Sequence, residues 1–432
     1  MTDMSPWSKN FLSKANPKSV ASCILSGIWL DYIWETYLCF RQFSLTRSAK
    51  EMPRNIAEIT TPEIYTLSRL YHMDQMKLGF AKDLFALTVS TAIIRHGILA
   101  KVWALSERIT PFRGEIGTTW MWSVIFTTGS TFIYLPFTLY ETFVLENKYG
   151  FNNIPFEIFL TDIIITLIFL HILNLPAYAV FISLVKLSGD KVGLVLWLLS
   201  TLALLGLTAT FPTLIDPMDG SFTPLPEGKL KDDIEQLART VGFPLGGIYI
   251  KDSSQRTSHA NAYFAGMFGS KRIVLYDTLL TICTPNEILA ILCHEFGHWK
   301  HKHIAARIVA FQIYLILTIS MYSWTYRWPT LYQAMGFPIG VEPVLIGLMV
   351  LTSLVMVPIN SIATCLLNTL SRHQEYQADQ FAVQFGKAND LIGALKQLHK
   401  GNLADLVYDP LYVSWYHSHP PIAERIEALR QK

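Results

Sequence analysis

The sequence predicts a mainly α-helical, polytopic membrane protein that carries a smaller α+β portion. Three observations point to this class. Hydrophobic residues fill 51% of the 432 positions, charged residues only 16%, and mean hydropathy is +0.31, too apolar for an ordinary soluble chain. Seven segments are long and apolar enough to cross a bilayer, which takes about 20 helical residues. Between the fifth and sixth, the apolar pattern changes from helical to strand-like spacing and back again.

The seven segments lie near residues 19–40, 79–105, 119–145, 157–186, 191–215, 304–326 and 341–369. Several exceed the bilayer thickness, which tilt or extension into water accommodates. The first reads as a retained membrane helix rather than a cleaved signal: Asp31 and Glu35 interrupt it, and no small-residue cleavage site follows. Asp31, Glu35, Arg95, His96, Glu141, Asp162 and His171 fall inside these segments. Charge facing lipid is costly, so such residues are expected to face a bundle interior or a water-filled cavity, Asp162 and His171 above all. Pro136, Pro176 and Pro358 predict kinks. A polar stretch, 41–78, separates the first two segments.

The α+β portion opens after the fifth segment. Asp216–Gly220 with Pro224 and Pro226 reads as a linker. Leu230, Ile234, Leu237 and Val241 repeat at helical spacing, predicting an amphipathic helix over 228–240. Strand-like runs follow at Ile248–Lys251, His259–Phe264 and Arg272–Asp277, the last two joined as a hairpin through Gly266 and Gly269. A helix then spans Thr284–His303, with Thr284 as its cap, Pro285 in its first turn and Glu287 completing a capping box. The resulting organisation is a membrane portion at 1–215, a first catalytic portion at 216–303, two further spans at 304–369 and a second catalytic portion at 370–432.

That helix contains His294-Glu295-Phe296-Gly297-His298, an H-E-x-x-H pattern. Residues four apart share a helix face, so both imidazoles can reach one ion while Glu295 acts on a water beside it. Zinc is the expected metal for nitrogen and carboxylate ligands around an open position. His301 and His303 miss this spacing and read as solvated or supporting residues, and Cys293 as packing. A catalytic zinc needs a third protein ligand. Glu375 and Asp379, four apart after the seventh segment, can supply it, one binding metal while the other orients a ligand. Spacing alone does not separate this from an ordinary solvated helix.

Taken together, His294–His298 and Glu375-x-x-Ala-Asp379 resemble the type I CaaX prenyl proteases, integral-membrane zinc metalloproteases. The likeness extends through Pro224–Gly228, Ser258–Tyr263, Arg272–Leu280, His417-Ser-His419-Pro-Pro to Arg425, Trp34–Leu38 and Gly150–Asn152. Gln255, Thr257 and Ala260 are conservative departures. The resemblance implies seven membrane helices around a large polar, water-filled chamber, closed at one end by a small zincin-like domain. It implies one zinc on His294, His298 and Glu375, with Asp379 behind them and Glu295 as the catalytic base. It assigns His419 to the oxyanion, Asn261 to the substrate backbone and Arg425 to the substrate carbonyl or carboxylate. The implied substrates are prenylated CaaX proteins that lose their last three residues, with room for a second upstream cleavage. The implied setting is membrane lipid of the endoplasmic reticulum, with the inner nuclear membrane as a further location and the site open to the cytosol.

Composition excludes other classes. A net charge of +2 without a basic block gives nucleic acid no footing. Five scattered cysteines form neither a disulfide framework nor a Cys-x-x-Cys metal pair. The final Leu429–Lys432 is no prenylation box. Two readings stay open beside the first. One is a metallopeptidase that clears misfolded membrane proteins, separable by prenyl dependence. The other is a transporter or scaffold with a vestigial site, against which the intact His294, Glu295, His298 and Glu375 argue.

Overall fold

The computed structural model describes residues 15–152, 154–210, 221–252, 261–266, 271–400 and 407–431. Within the described residues, each of the seven apolar segments is mainly helical. The first is α1 (Pro17–Ser48). The second is broken into α2 (Pro62–Arg95) and α3 (Ile98–Ile109), bent by 67°. Gly97 sits in the break at φ 58°, where a side chain would be strained and where Gly336 packs against its face. The third is α4 (Glu115–Leu139), which Pro136 carries into a π-helical turn at Tyr140–Glu146. α5 (Phe156–Ser188) and α6 (Val192–Thr210) follow, then α10 (His303–Thr325) and the short α11 (Pro329–Ala334). The seventh runs from α12 (Val344–Val350) through a π turn into α13 (Val357–Gln384), with a 65° bend beside Pro358.

By length and composition, Phe156–Thr208 and His303–Thr325 qualify as membrane spans, and up to four do when each bent pair counts as one. Phe156–Thr208 has 53 residues, on the order of 80 Å of helix and more than twice a bilayer core. A 3₁₀ turn at Gly189–Lys191 interrupts it. Ile165, Phe169 and Ile172 stand exposed along it, as lipid contact requires.

Contacts divide the chain into two units. The first takes in the chain up to Cys39, Asp74–Leu199 and Tyr314–Ile362. Its apolar cores gather around Trp103, Trp122 and Tyr332, and around Ile182, Tyr322 and Met356. Polar residues of its segments find partners. Lys82 donates to Glu141 at 2.5 Å, Ser361 to Glu35 at 2.6 Å, and His171 meets Thr128 at 3.1 Å.

The second unit takes in Phe40–Met73, Ser200–Ile313 and Ala363 onward. Its sheet has the order β1-β2-β4-β3, made of β1 (Phe222–Pro224), β2 (Leu245–Lys251), β3 (Ala262–Ala265) and β4 (Lys271–Tyr276). β2 and β4 are parallel, and the outer strands run antiparallel to them. Pro224 therefore lies in an edge strand, not in a linker. An edge tolerates proline because its N–H side need not pair. Residues 216–220 lie outside the described residues, as do His259 and Gly269 of the expected hairpin. The amphipathic helix is α7 (Lys229–Val241), burying Ile234, Ala238 and Val241. Beyond β4 come α8 (Asp277–Ile282), α9 (Pro285–Lys300), α14 (Ala388–Lys400), α15 (Pro410–Tyr416) and α16 (Ile422–Arg430). One apolar core joins α9 to β4, α13, α14 and α16, and takes Ile56, Ile59 and Tyr65 from the polar 41–78 stretch.

Candidate active site

α9 begins where the sequence reading put it. Thr284 donates its N–H to Glu287 Oε2 at 2.8 Å and its hydroxyl accepts from the Glu287 N–H at 3.4 Å, a complete capping box with Pro285 in the first turn. Ile288–Leu292, Cys293 and Phe296 are buried and fix the rotation of the helix. Gly297 sets its closest approach to α13. A Cβ at this position would lie 2.9 Å from both Ala378 Cα and Phe381 Cβ. Only glycine lets the two backbones meet so closely, and that meeting brings Glu375 opposite His294 and His298.

The three groups converge. His294 Nε2 lies 3.1 Å from His298 Nε2 and 3.5 Å from Glu375 Oε2, and His298 Nε2 lies 3.3 Å from Glu375 Oε1. Ligands at about 2.0–2.1 Å around one tetrahedral zinc would stand roughly 3.3 Å apart, so the residues fit that ion. Their electrostatics agree. Burial disfavours a charged His294 imidazole, but the Asp379 and Glu375 carboxylates outweigh it and hold its pKa up at about 9. Burial would likewise raise Glu375, yet hydrogen bonds from His294, His298 and His419 keep its carboxyl well below the usual range. Both effects draw positive charge into the gap.

Behind these three groups stands Asp379. Its Oδ1 accepts from His294 Nδ1 at 2.8 Å, which leaves Nε2 free to face the gap. Arg425, buried on α16, forks onto the same carboxylate through Nε at 2.9 Å and Nη2 at 2.7 Å. The guanidinium is thus committed largely to Asp379, with Nη1 3.6 Å from Glu375 Oε2. His419 is exposed, with Nδ1 3.2 Å from Glu375 Oε2. A cavity of about 160 Å³ brings together Glu295, Asn261, His419 and Arg425 with His294, His298 and Glu375, and Leu391, Leu395 and Leu398 wall it. Asn261 stands just before β3 rather than within the strand, but its carbonyl still accepts from Tyr276 N–H at 3.0 Å.

The sequence reading left one feature open and missed another. Of the two readings of His303, solvated or supporting, the second holds: it is 3% exposed and its Nδ1 meets His298 Nδ1 at 2.8 Å. α15 was unread, although Asp409 before Pro410 is a helix-start signal. The Asp409 carboxylate accepts from the N–H groups of Leu411 and Tyr412 and from Arg41. At the other end, Arg372 donates to the carbonyls of Val413, Ser414 and His417, which lead into His419.

A helix-rich membrane chain whose small sheet abuts an H-E-x-x-H helix, with a carboxylate completing its ligand set, is an integral-membrane metalloprotease. The model of peptidase family M48 matches residues 224–432, and that of the CAAX prenyl protease N-terminal region, with five membrane helices, matches 42–218. The chain is 34% identical to the human CAAX prenyl protease 1 homolog, covering 96% of each. It is 34% identical to Saccharomyces cerevisiae CAAX prenyl protease 1, covering 94% of each. The crystal structure of S. mikatae Ste24p superposes with a TM-score of 0.86 at 31% identity, covering 95% of this chain and 99% of that one. The chain belongs to the type I CaaX prenyl protease family.

Proposed function

We propose that the chain is a zinc-dependent endopeptidase that removes the last three residues of prenylated CaaX proteins. One zinc per chain would be held by His294, His298 and Glu375, with Asp379 orienting His294. The convergence of these residues with Glu295 around one cavity carries the reading. When bound, zinc supplies Lewis acidity toward a water and toward the scissile carbonyl. Glu295 takes a proton from the attacking water as its oxygen bonds the carbonyl carbon. Glu295 then gives that proton to the departing nitrogen as the C–N bond breaks, and the proton left on the former water oxygen follows to the amine, leaving a carboxylate and an ammonium group. His419 donates to the oxygen that becomes negative in between. Asn261 fixes an extended substrate that adds a strand beside β3. Arg425 reaches substrate only through the edge not spent on Asp379.

The membrane portion is proposed to form seven spans around a water-filled chamber, with the peptidase domain made of 216–303 and 370–432. A prenyl chain would partition to lipid while the peptide enters the chamber. The proposed location is the endoplasmic reticulum membrane, with the site open to the cytosol. The test is incubation of the purified protein with matched farnesylated and unprenylated CaaX peptides, followed by mass analysis. Release of a tripeptide from the prenylated peptide alone is expected, and its loss in Glu295→Gln. Equal cleavage of both peptides would favour a general membrane metallopeptidase, and cleavage of neither by zinc-loaded protein would refute the proposal.

A further inference from the structure

We infer that His303 and Gln377 are positioning residues for the metal: they hold His298 with its Nε2 lone pair in the ligand gap. The inference rests on the zinc reading above and concerns how one ligand is oriented.

The argument is one of hydrogen-bond direction. His298 offers Nε2 to the gap, 3.1 Å from His294 Nε2 and 3.3 Å from Glu375 Oε1. A neutral imidazole that binds metal through Nε2 must carry its hydrogen on Nδ1. That Nδ1 lies 2.8 Å from His303 Nδ1, so His298 donates and His303 accepts. The hydrogen of His303 then sits on Nε2, which lies 2.9 Å from Gln377 Oε1, and a carbonyl oxygen can only accept. The Gln377 amide nitrogen in turn donates to His373 Nε2 at 3.1 Å. Reversing the chain would put a hydrogen on His298 Nε2 and remove it as a ligand.

Three observations show that the relay is built rather than incidental. At 3% exposure, His303 has little access to water that could substitute for either partner. Lys302, at φ 55°, turns the chain between α9 and α10 so that the first residue of α10 folds back onto His298. Such a conformation is disfavoured for a non-glycine residue, so the surroundings must hold it. The seam between α10 and α13 is pinned again four residues on, where Arg307 donates to Gln374 at 2.7 Å and to Ser371 at 3.2 Å. The two histidine ligands are thus oriented by different chemistry, His294 by a carboxylate and His298 by a neutral imidazole.

The test uses the full-length protein in detergent, stripped of metal and titrated with zinc against a chelator of known affinity, with melting temperature followed in parallel. The parent should bind one zinc; if it binds none, the zinc reading itself fails. His303→Phe keeps a ring but no acceptor, and should bind zinc about 10–100-fold more weakly, the usual cost of losing a residue that orients a ligand. His303→Asn offers an oxygen near the Nδ1 position and should recover most of that loss. Parent-like affinity in His303→Phe, or an Asn variant as weak as the Phe variant, would overturn the inference. Should His303→Phe fail to fold, Gln377→Leu decides: several-fold weaker zinc, with the metal-free variant melting where the metal-free parent does, supports the relay, and parent-like affinity refutes it.

Discussion

Glu375 offers its two oxygens to different partners, Oε1 to His298 at 3.3 Å and Oε2 to His294 and His419 at 3.5 and 3.2 Å. Glu375→Ala should therefore remove a ligand and empty the site, which metal analysis of the purified variant would read. Asp379→Asn should be milder, about 10–100-fold in zinc affinity, since it weakens the bond that orients His294 and the Arg425 fork without removing a ligand. His419 is proposed to act at another stage. A donor to developing negative charge lowers turnover more than binding, so His419→Ala should keep zinc and substrate affinity and lose about 10²–10³-fold in single-turnover rate. Loss of zinc in that variant would make His419 a ligand instead. The spacing of four between His294 and His298, and between Glu375 and Asp379, is readable because a helix turns spacing into shared faces. For His303 the sequence left two readings, solvated or supporting, because its approach to His298 depends on the backbone turn at Lys302, which no helical periodicity announces.

The elements meet under tighter limits than their patterns suggest. Gly297→Ala adds one methyl where Ala378 Cα would stand 2.9 Å away, so α9 and α13 must part. The expected result is weaker zinc binding together with a lower melting temperature, whereas Gly386→Ala, with nothing near its face, should leave zinc affinity alone. α15 is gripped at both ends, by Arg41 on Asp409 and by Arg372 on three carbonyls. Arg372→Ala should release the segment carrying His419 and slow turnover with zinc retained. In a His419→Ala background the same change should add little further loss, and a full additional loss would separate Arg372 from His419. The long apolar helices and α7 were legible because their periodicity runs for many residues. β1, α14, α15 and α16 are short or mixed in pattern: packing against the shared core defines α14 and α16, pairing with β2 defines β1, and the bonds of Asp409 and Arg372 define α15.

For the molecule as a whole, a metal held only by the folded state stabilises it in proportion to its binding. Zinc at 100 times its Kd contributes about 2.7 kcal/mol. Chelation should accordingly lower the melting temperature and added zinc should restore it, an effect that Glu375→Ala should abolish. The class of the molecule was legible in composition and in seven apolar runs, each of which is mainly helical within the described residues. The division into units was less so, since the second draws on three separated stretches of sequence and takes core residues from the polar region around Ile56. That scattering has a consequence in time. The residues proposed to bind metal are all synthesised by Glu375, but the guanidinium that braces Asp379 and the imidazole beside Glu375 come only with Arg425 and His419. A chain emerging from the ribosome would therefore stay dormant as a protease until the stretch from His419 to Arg425 has been made and folded against Glu375 and Asp379.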